Sequence, residues 1–126
     1  MHERSTHTEH GARFERASRD WLEQRGWQII EQNYRCKAGE IDLIARDGEV
    51  LVFVEVRARR SRRYASAAAS VDQRKQQRLR AAAAHFMRLR AGGVTPPCRF
   101  DVITWQPDAG TGDWAPTWIP RAFGGL

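Results

Sequence analysis

The chain has 126 residues, 41% of them apolar, with a formal net charge of +6 and a pI near 10.3. This length suits a single domain with one core, and the longest unbroken apolar run, Val50 to Val54, is far too short to span a bilayer. The opening residues, Met1 to His10, are polar and lack the apolar stretch of a secretory signal, so a cytoplasmic protein with a flexible segment over 1–10 and a single domain over 11–126 is expected.

The first element is a helix from about Glu9 to Arg25, closed by Gly26 as a left-handed cap. Phe14, Ala17, Trp21 and Leu22 fall at helical spacing and give it one apolar stripe. Trp27 to Tyr34 reads as a strand and Cys36 to Gly39 as a loop. Glu40 to Arg46 and Glu49 to Arg57 read as two strands joined by the hairpin signal Asp47-Gly48. Arg59 to Ala69 is charged and without period, so a mobile basic loop is expected there. Ser70-Val71-Asp72-Gln73 reads as a capping box that opens a second helix. Leu79, Ala82, Ala83, Phe86 and Leu89 line one face of that helix, and Gly92-Gly93 ends it. After the Pro96-Pro97 connector, Arg99 to Trp105 is a strand, Asp108 to Gly112 a turn, and Thr117 to Ile119 a short last strand. The order αβββαβ(β) implies an α/β layer structure with a central mixed sheet. Cys36 and Cys98 have neither CxxC nor metal-ligand spacing and read as two reduced thiols.

The hairpin carries the chemistry. Folded at Asp47-Gly48, it sets Arg46 opposite Glu49, Ile44 opposite Leu51, Asp42 opposite Phe53 and Glu40 opposite Glu55. One face then holds Ile41, Leu43, Ala45, Val50, Val52, Val54 and Val56 and is wholly apolar. The other holds Ile44, Leu51 and Phe53 near the turn, and Glu40, Asp42, Glu55 and Arg57 at the far end. Two carboxylates ~6 Å apart repel by roughly 3 kcal/mol at an effective dielectric near 20. A Mg²⁺ or Mn²⁺ ion held by Asp42, Glu55 and Glu40 offsets that repulsion, because hard cations take carboxylate oxygens and complete their shell with water and phosphate. The competing reading is an ion-pair cluster in which Arg35, Arg57 and Arg59 neutralise the acids without a metal.

The net charge also favours a polyanionic partner, since each neutralised phosphate releases a counterion. Of the 21 basic residues only Lys37 and Lys75 are lysine, so 19 are arginine. Arginine is the better fork for phosphate. Arg57, Arg59, Arg60, Arg62 and Arg63 lie within seven residues and are followed by Tyr64. This segment is expected to grip a nucleic-acid backbone while Tyr64 stacks on a base, with Arg35 and Lys75 as further contacts.

Asp42 followed across a hairpin by Glu55-Val56-Arg57 resembles the PD-(D/E)xK nuclease core. The string Gly39-Glu40-Ile41-Asp42-Leu43-Ile44-Ala45 with Val52-Phe53-Val54-Glu55-Val56-Arg57 is closer still to the UPF0102 (YraN-like) family, which is related to archaeal Holliday junction resolvases. Gly11, Glu15, Asn33, Arg35, Lys75, Arg99 to Ile103 and Ala122-Phe123 also fall in family-like places. The resemblance implies a restriction-endonuclease-like, three-layer α/β/α fold. It implies Asp42 and Glu55 as metal ligands, with Glu15 adding an acid from the first helix. Two positions depart from the motif: Ile41 stands where the pattern has proline, and Arg57 where it has lysine. Arginine keeps the charge but, with a pKa above about 12, cannot act as a base.

The expected function is a divalent-metal-dependent DNA endonuclease, acting on branched DNA by the family analogy. Arg57 leaves open the alternative of a nucleic-acid-binding module with a degenerate site. A homodimer is expected only by analogy with two-fold enzymes of symmetric junctions. Asp101, on the strand beyond the crossover, is expected to be structural, with Arg99 as its neighbour.

Overall fold

A computed structural model describes residues 9–60, 71–90 and 96–124. The elements are α1 (Glu9–Gln24), β1 (Gln28–Cys36), β2 (Gly39–Asp47), β3 (Val50–Ala58), α2 (Gln73–Arg90), β4 (Cys98–Pro107) and β5 (Trp114–Phe123). The strands form one sheet in the order β1-β2-β3-β4-β5. Only β3 and β4 run parallel; the other neighbours are antiparallel. A parallel pair needs a crossover, and α2 supplies it.

Two apolar clusters flank the sheet. On one face Leu79, Ala82, Ala83 and Phe86 of α2 pack on Ile44, Leu51, Phe53, Phe100 and Val102. On the other, Phe14 and Leu22 of α1 pack on Leu43, Ala45, Val52, Val54, Val56 and Ile103. The result is the element order and mixed sheet expected from the periodicity, with one helix on each face as the family resemblance implies. Among the described residues no helix is long and apolar enough to cross a membrane.

α1 ends as its sequence dictates. Gly26 adopts φ 90°, and the amides of Gly26 and Trp27 donate to the carbonyls of Glu23 and Leu22, so the last turn is closed by a residue with no Cβ to clash. The start of α2 differs from the expected box. Asp72 is the cap: its Oδ1 accepts the Lys75 amide at 2.9 Å, and its negative charge meets the positive end of the helix. Ser70 and the glycines at 92 and 93 lie outside the described residues. Leu89, expected on the buried face, is 66% exposed, because it lies a turn beyond Phe86, the last fully covered position.

β5 is three times as long as the stretch Thr117–Ile119 expected for it. It accommodates Pro116 and Pro120 because β5 is an edge strand, where the missing amide costs no ladder bond. Its irregularity at Arg121, at φ 52°, is held by Asp101. That buried carboxylate accepts from the Arg121 amide at 3.0 Å, Trp118 Nε1 at 2.9 Å and Arg99 Nε at 3.1 Å. Asp101 is therefore the structural acid expected of it.

The hairpin register is corrected by two residues. Asp47 pairs with Val50, Ile44 with Phe53 and Leu43 with Val54. A turn on Asp47-Gly48 needs positive φ at Asp47 as well, whereas a turn on Gly48-Glu49 asks it only of Gly48, at φ 63°. A shift of two keeps every side chain of the turn end on its expected face, and it brings Asp42 level with Glu55 instead of Phe53. The other correction is Ile41, which packs in the cluster under α2 and not with Leu43. Regular β2–β3 pairing stops at Leu43, and Asp42 Oδ2 takes the Val56 amide at 2.8 Å in place of a backbone carbonyl. The face alternation breaks at that point.

Candidate active site

Three carboxylates that a stable core would exclude are buried together. Asp42 and Glu55 are each 2% exposed and Glu15 4%. They come from β2, β3 and α1, and each is placed by its element. The amphipathic face of α1 that buries Phe14 and Leu22 also buries Glu15 and Ser18. Ser18 Oγ accepts from Trp105 Nε1 at 2.8 Å, which ties α1 to β4. Asp42 is fixed by the Val56 amide, and Glu55 lies in the buried run of β3.

The electrostatics follow from this burial. Desolvation pushes the Asp42 carboxyl well above its ordinary value of 3.8, and the negative charges of Glu55 and Glu15 push it in the same direction; the Val56 amide opposes them. A protonated Asp42 shares a hydrogen bond with Glu55. Glu55 in turn faces two cations, with Arg57 Nη1 at 3.3 Å and Lys75 Nζ at 3.6 Å from its Oε2. The Lys75 amine reaches the acid from α2, on the opposite layer from Glu15. α2 can lie that close because Gly39 has no side chain: a Cβ there would stand 3.1 Å from the Arg78 carbonyl oxygen and 3.2 Å from the Arg78 Cβ.

The structure thus brings together Glu15, Asp42, Glu55, Arg57 and Lys75. Glu40 is held elsewhere, with Oε1 3.9 Å from Arg35 Nε, and the acids acting on Asp42 are Glu55 and Glu15. Arg59 donates its amide to the Trp105 carbonyl and so prolongs β3 beside β4. The Arg60 guanidinium lies 5.1 Å from the centre of the Trp114 ring. Arg62, Arg63 and Tyr64 lie outside the described residues.

Asn33 carried no chemical role in the sequence reading. It falls between the pairs Gln32↔Leu43 and Tyr34↔Ile41, at the position across from Asp42. It adopts φ 53°, rare for a residue with a Cβ, and its buried side-chain oxygen accepts no hydrogen bond from the described residues. Asparagine tolerates this backbone conformation better than most residues, and that tolerance and its family-like place were the sequence signals it offered.

Among the described residues no three His, Cys, Asp or Glu side chains are spaced to hold a metal unaided. The buried carboxylates of Asp42 and Glu55, with the buried Asn33 side-chain oxygen that has no donor among the described residues, nonetheless fit a hard divalent cation that completes its shell with water and substrate oxygens.

The family model described as "Uncharacterised protein family UPF0102" matches residues 14–105. A UPF0102 protein of Aeromonas hydrophila is 46% identical over 114 residues, covering 90% of this chain and 83% of its own. One from Hahella chejuensis is 52% identical over 99 residues, 79% and 77% of the two chains. One from Pseudomonas syringae pv. syringae is 43% identical over 122 residues, 96% and 98% of the two chains.

Proposed function

The chain belongs to the UPF0102 family, and from that premise we propose that it is a nucleic-acid-binding protein and a Mg²⁺- or Mn²⁺-dependent DNA endonuclease of the PD-(D/E)xK type. The observation that carries the reading is the convergence of three buried carboxylates from three elements, with a lysine amine from a fourth at one of them. Burying charges is costly unless something ligates them, and such clusters concentrate at functional sites.

In this reading Asp42 and Glu55 hold the ion, and Glu15 adds negative charge and orients water. An ion held by these two carboxylates would supply Lewis acidity toward a phosphodiester and lower the pKa of a coordinated water. Glu40, paired with Arg35, is left out of the ligand set. Arg57 and Lys75 offset the charge that develops on the phosphate. The layering and element order are those the resemblance to restriction-endonuclease-like enzymes implies, which supports the reading by analogy of fold.

Linear, flapped and four-way DNA incubated with Mn²⁺ and the purified protein provide the test. Cleavage in Mn²⁺, none in EDTA and none by Glu55→Gln is the expected pattern. Equal nicking by wild type and Glu55→Gln would sink the assignment. The second reading, a binding module that has lost turnover, draws on Arg57 at the motif lysine position. It predicts DNA affinity without cleavage on all three substrates.

A further inference from the structure

Beside the acidic site lies a second feature with the opposite charge. The turn between β1 and β2 and the C-terminal half of α2 enclose a cleft of about 570 Å³. Arg35, Lys37 and Arg88 line it together with His85, and no carboxylate is among its lining residues. Its floor includes Ala81 and Ala84, small side chains that leave the space between the cations open. Arg35, Lys37 and Arg88 are exposed. The neighbouring Arg90 is engaged instead, with Nη2 3.2 Å from Glu31 Oε1.

The cleft and the acidic site are joined by one helix. α2 places Lys75 at Glu55 near its start, touches Gly39 at Arg78, and lines the cleft from Ala81 to Arg88. At ~1.5 Å rise per residue, the nine to thirteen residues from Lys75 to Ala84 and Arg88 cover ~14–20 Å. That distance equals about four to six base-pair rises of a duplex strand. On the strand side, Arg35 stands opposite Glu40, two residues from Asp42. A polyanion brought to Asp42, Glu55 and Glu15 is repelled by them, so cations along its path are needed to hold it there.

We propose that this cleft is a phosphate-binding subsite. It takes the sugar-phosphate backbone of the bound nucleic acid a few nucleotides away from the acidic site, with Arg35, Lys37 and Arg88 as its contacts. The proposal rests on the nucleic-acid part of the function proposed above and not on metal binding or cleavage. The phosphates enter between the three cations, and the alanine floor leaves room for the sugar. Arg35 exchanges its long contact with Glu40 for a phosphate oxygen, a charge-assisted bond of better geometry.

The test is fluorescence anisotropy in EDTA, with a short labelled duplex and its single strand as probes, comparing wild type with Lys37→Glu/Arg88→Glu. The control, Arg16→Glu/Arg25→Glu, makes the same change in net charge at two exposed positions, one on α1 and one in the turn that follows it, on the other face of the sheet. The cleft variant is expected to bind at least about tenfold more weakly at low salt, with the slope of log affinity against log salt reduced by about two. The control is expected to change affinity by less than about threefold. A greater loss on the duplex identifies a duplex arm as the occupant, and a greater loss on the single strand identifies an unpaired one. Equal losses in cleft variant and control, or no DNA binding by wild type, would overturn the subsite. A Mn²⁺ thermal shift on the same proteins separates the two proposals. A cleft variant that binds DNA like wild type yet keeps the shift removes the subsite and spares the metal site. Weakened binding with no shift in any protein does the reverse.

Discussion

Asp42→Asn is expected to yield a protein that is more stable than wild type without metal at neutral pH and has no metal-dependent cleavage. The folded protein holds the Asp42 proton to higher pH than the unfolded chain does, because burial and the charges of Glu55 and Glu15 raise its pKa. The unfolded chain therefore loses this proton first, and folding stability declines as pH rises from about 3.8 through the folded-state value. Over that window one proton changes stability by at most about 1.4 kcal/mol per pH unit. Asparagine cannot ionise and keeps an oxygen for the Val56 amide. The gap between variant and wild type should accordingly be absent below pH 3.8 and widen above it. Urea midpoints measured across pH in EDTA read this directly. A variant less stable than wild type at neutral pH would mean that the carboxylate is held by its neighbours and is not a strained ligand.

Lys75→Ala should lower turnover by about 10²–10³-fold, the usual loss when one electrostatic contact to a developing charge is removed. The amine is 3.6 Å from Glu55 Oε2, near the 3.3 Å of the Arg57 guanidinium. Lysine is thus present at the site although the motif position holds arginine. Arg57→Lys then changes the wild-type rate little and partly rescues Lys75→Ala. If wild type is inactive and Arg57→Lys alone cleaves, the binding-only reading stands and Lys75 contributes no chemistry. Single-turnover rates with Mn²⁺ on the best substrate of the panel separate these outcomes from changes in affinity.

Much of this site was legible in the sequence because a β-hairpin obeys a period of two. Alternation alone sets Asp42, Glu55 and Arg57 at one end of it. The pairing itself was not legible. Asp47-Gly48 is a good turn signal, yet the adjacent Gly48-Glu49 turn asks for positive φ only at the glycine, and that local difference moved Asp42 level with Glu55. Glu15 sits on the margin of an apolar stripe, and from periodicity alone a solvated residue reads the same as a buried one. Lys75 and the cleft depend on how α2 lies across Gly39, a packing fact between residues about forty apart in sequence. Asn33 needed the register and the backbone angle together before its place across from Asp42 was visible.

Calorimetric titration of the metal-free protein with Mn²⁺ measures the proposed metal site of Asp42 and Glu55 most directly. Wild type should bind one ion, and repeating the titration in buffers of different ionisation enthalpy should reveal proton release, because a raised Asp42 pKa leaves a proton for the ion to displace. Asp42→Asn and Glu55→Gln should show at least a tenfold loss of affinity, in line with loss of a ligand. Mn²⁺ binding of equal strength in all three proteins, or none in wild type, would rule out a metal site at these residues.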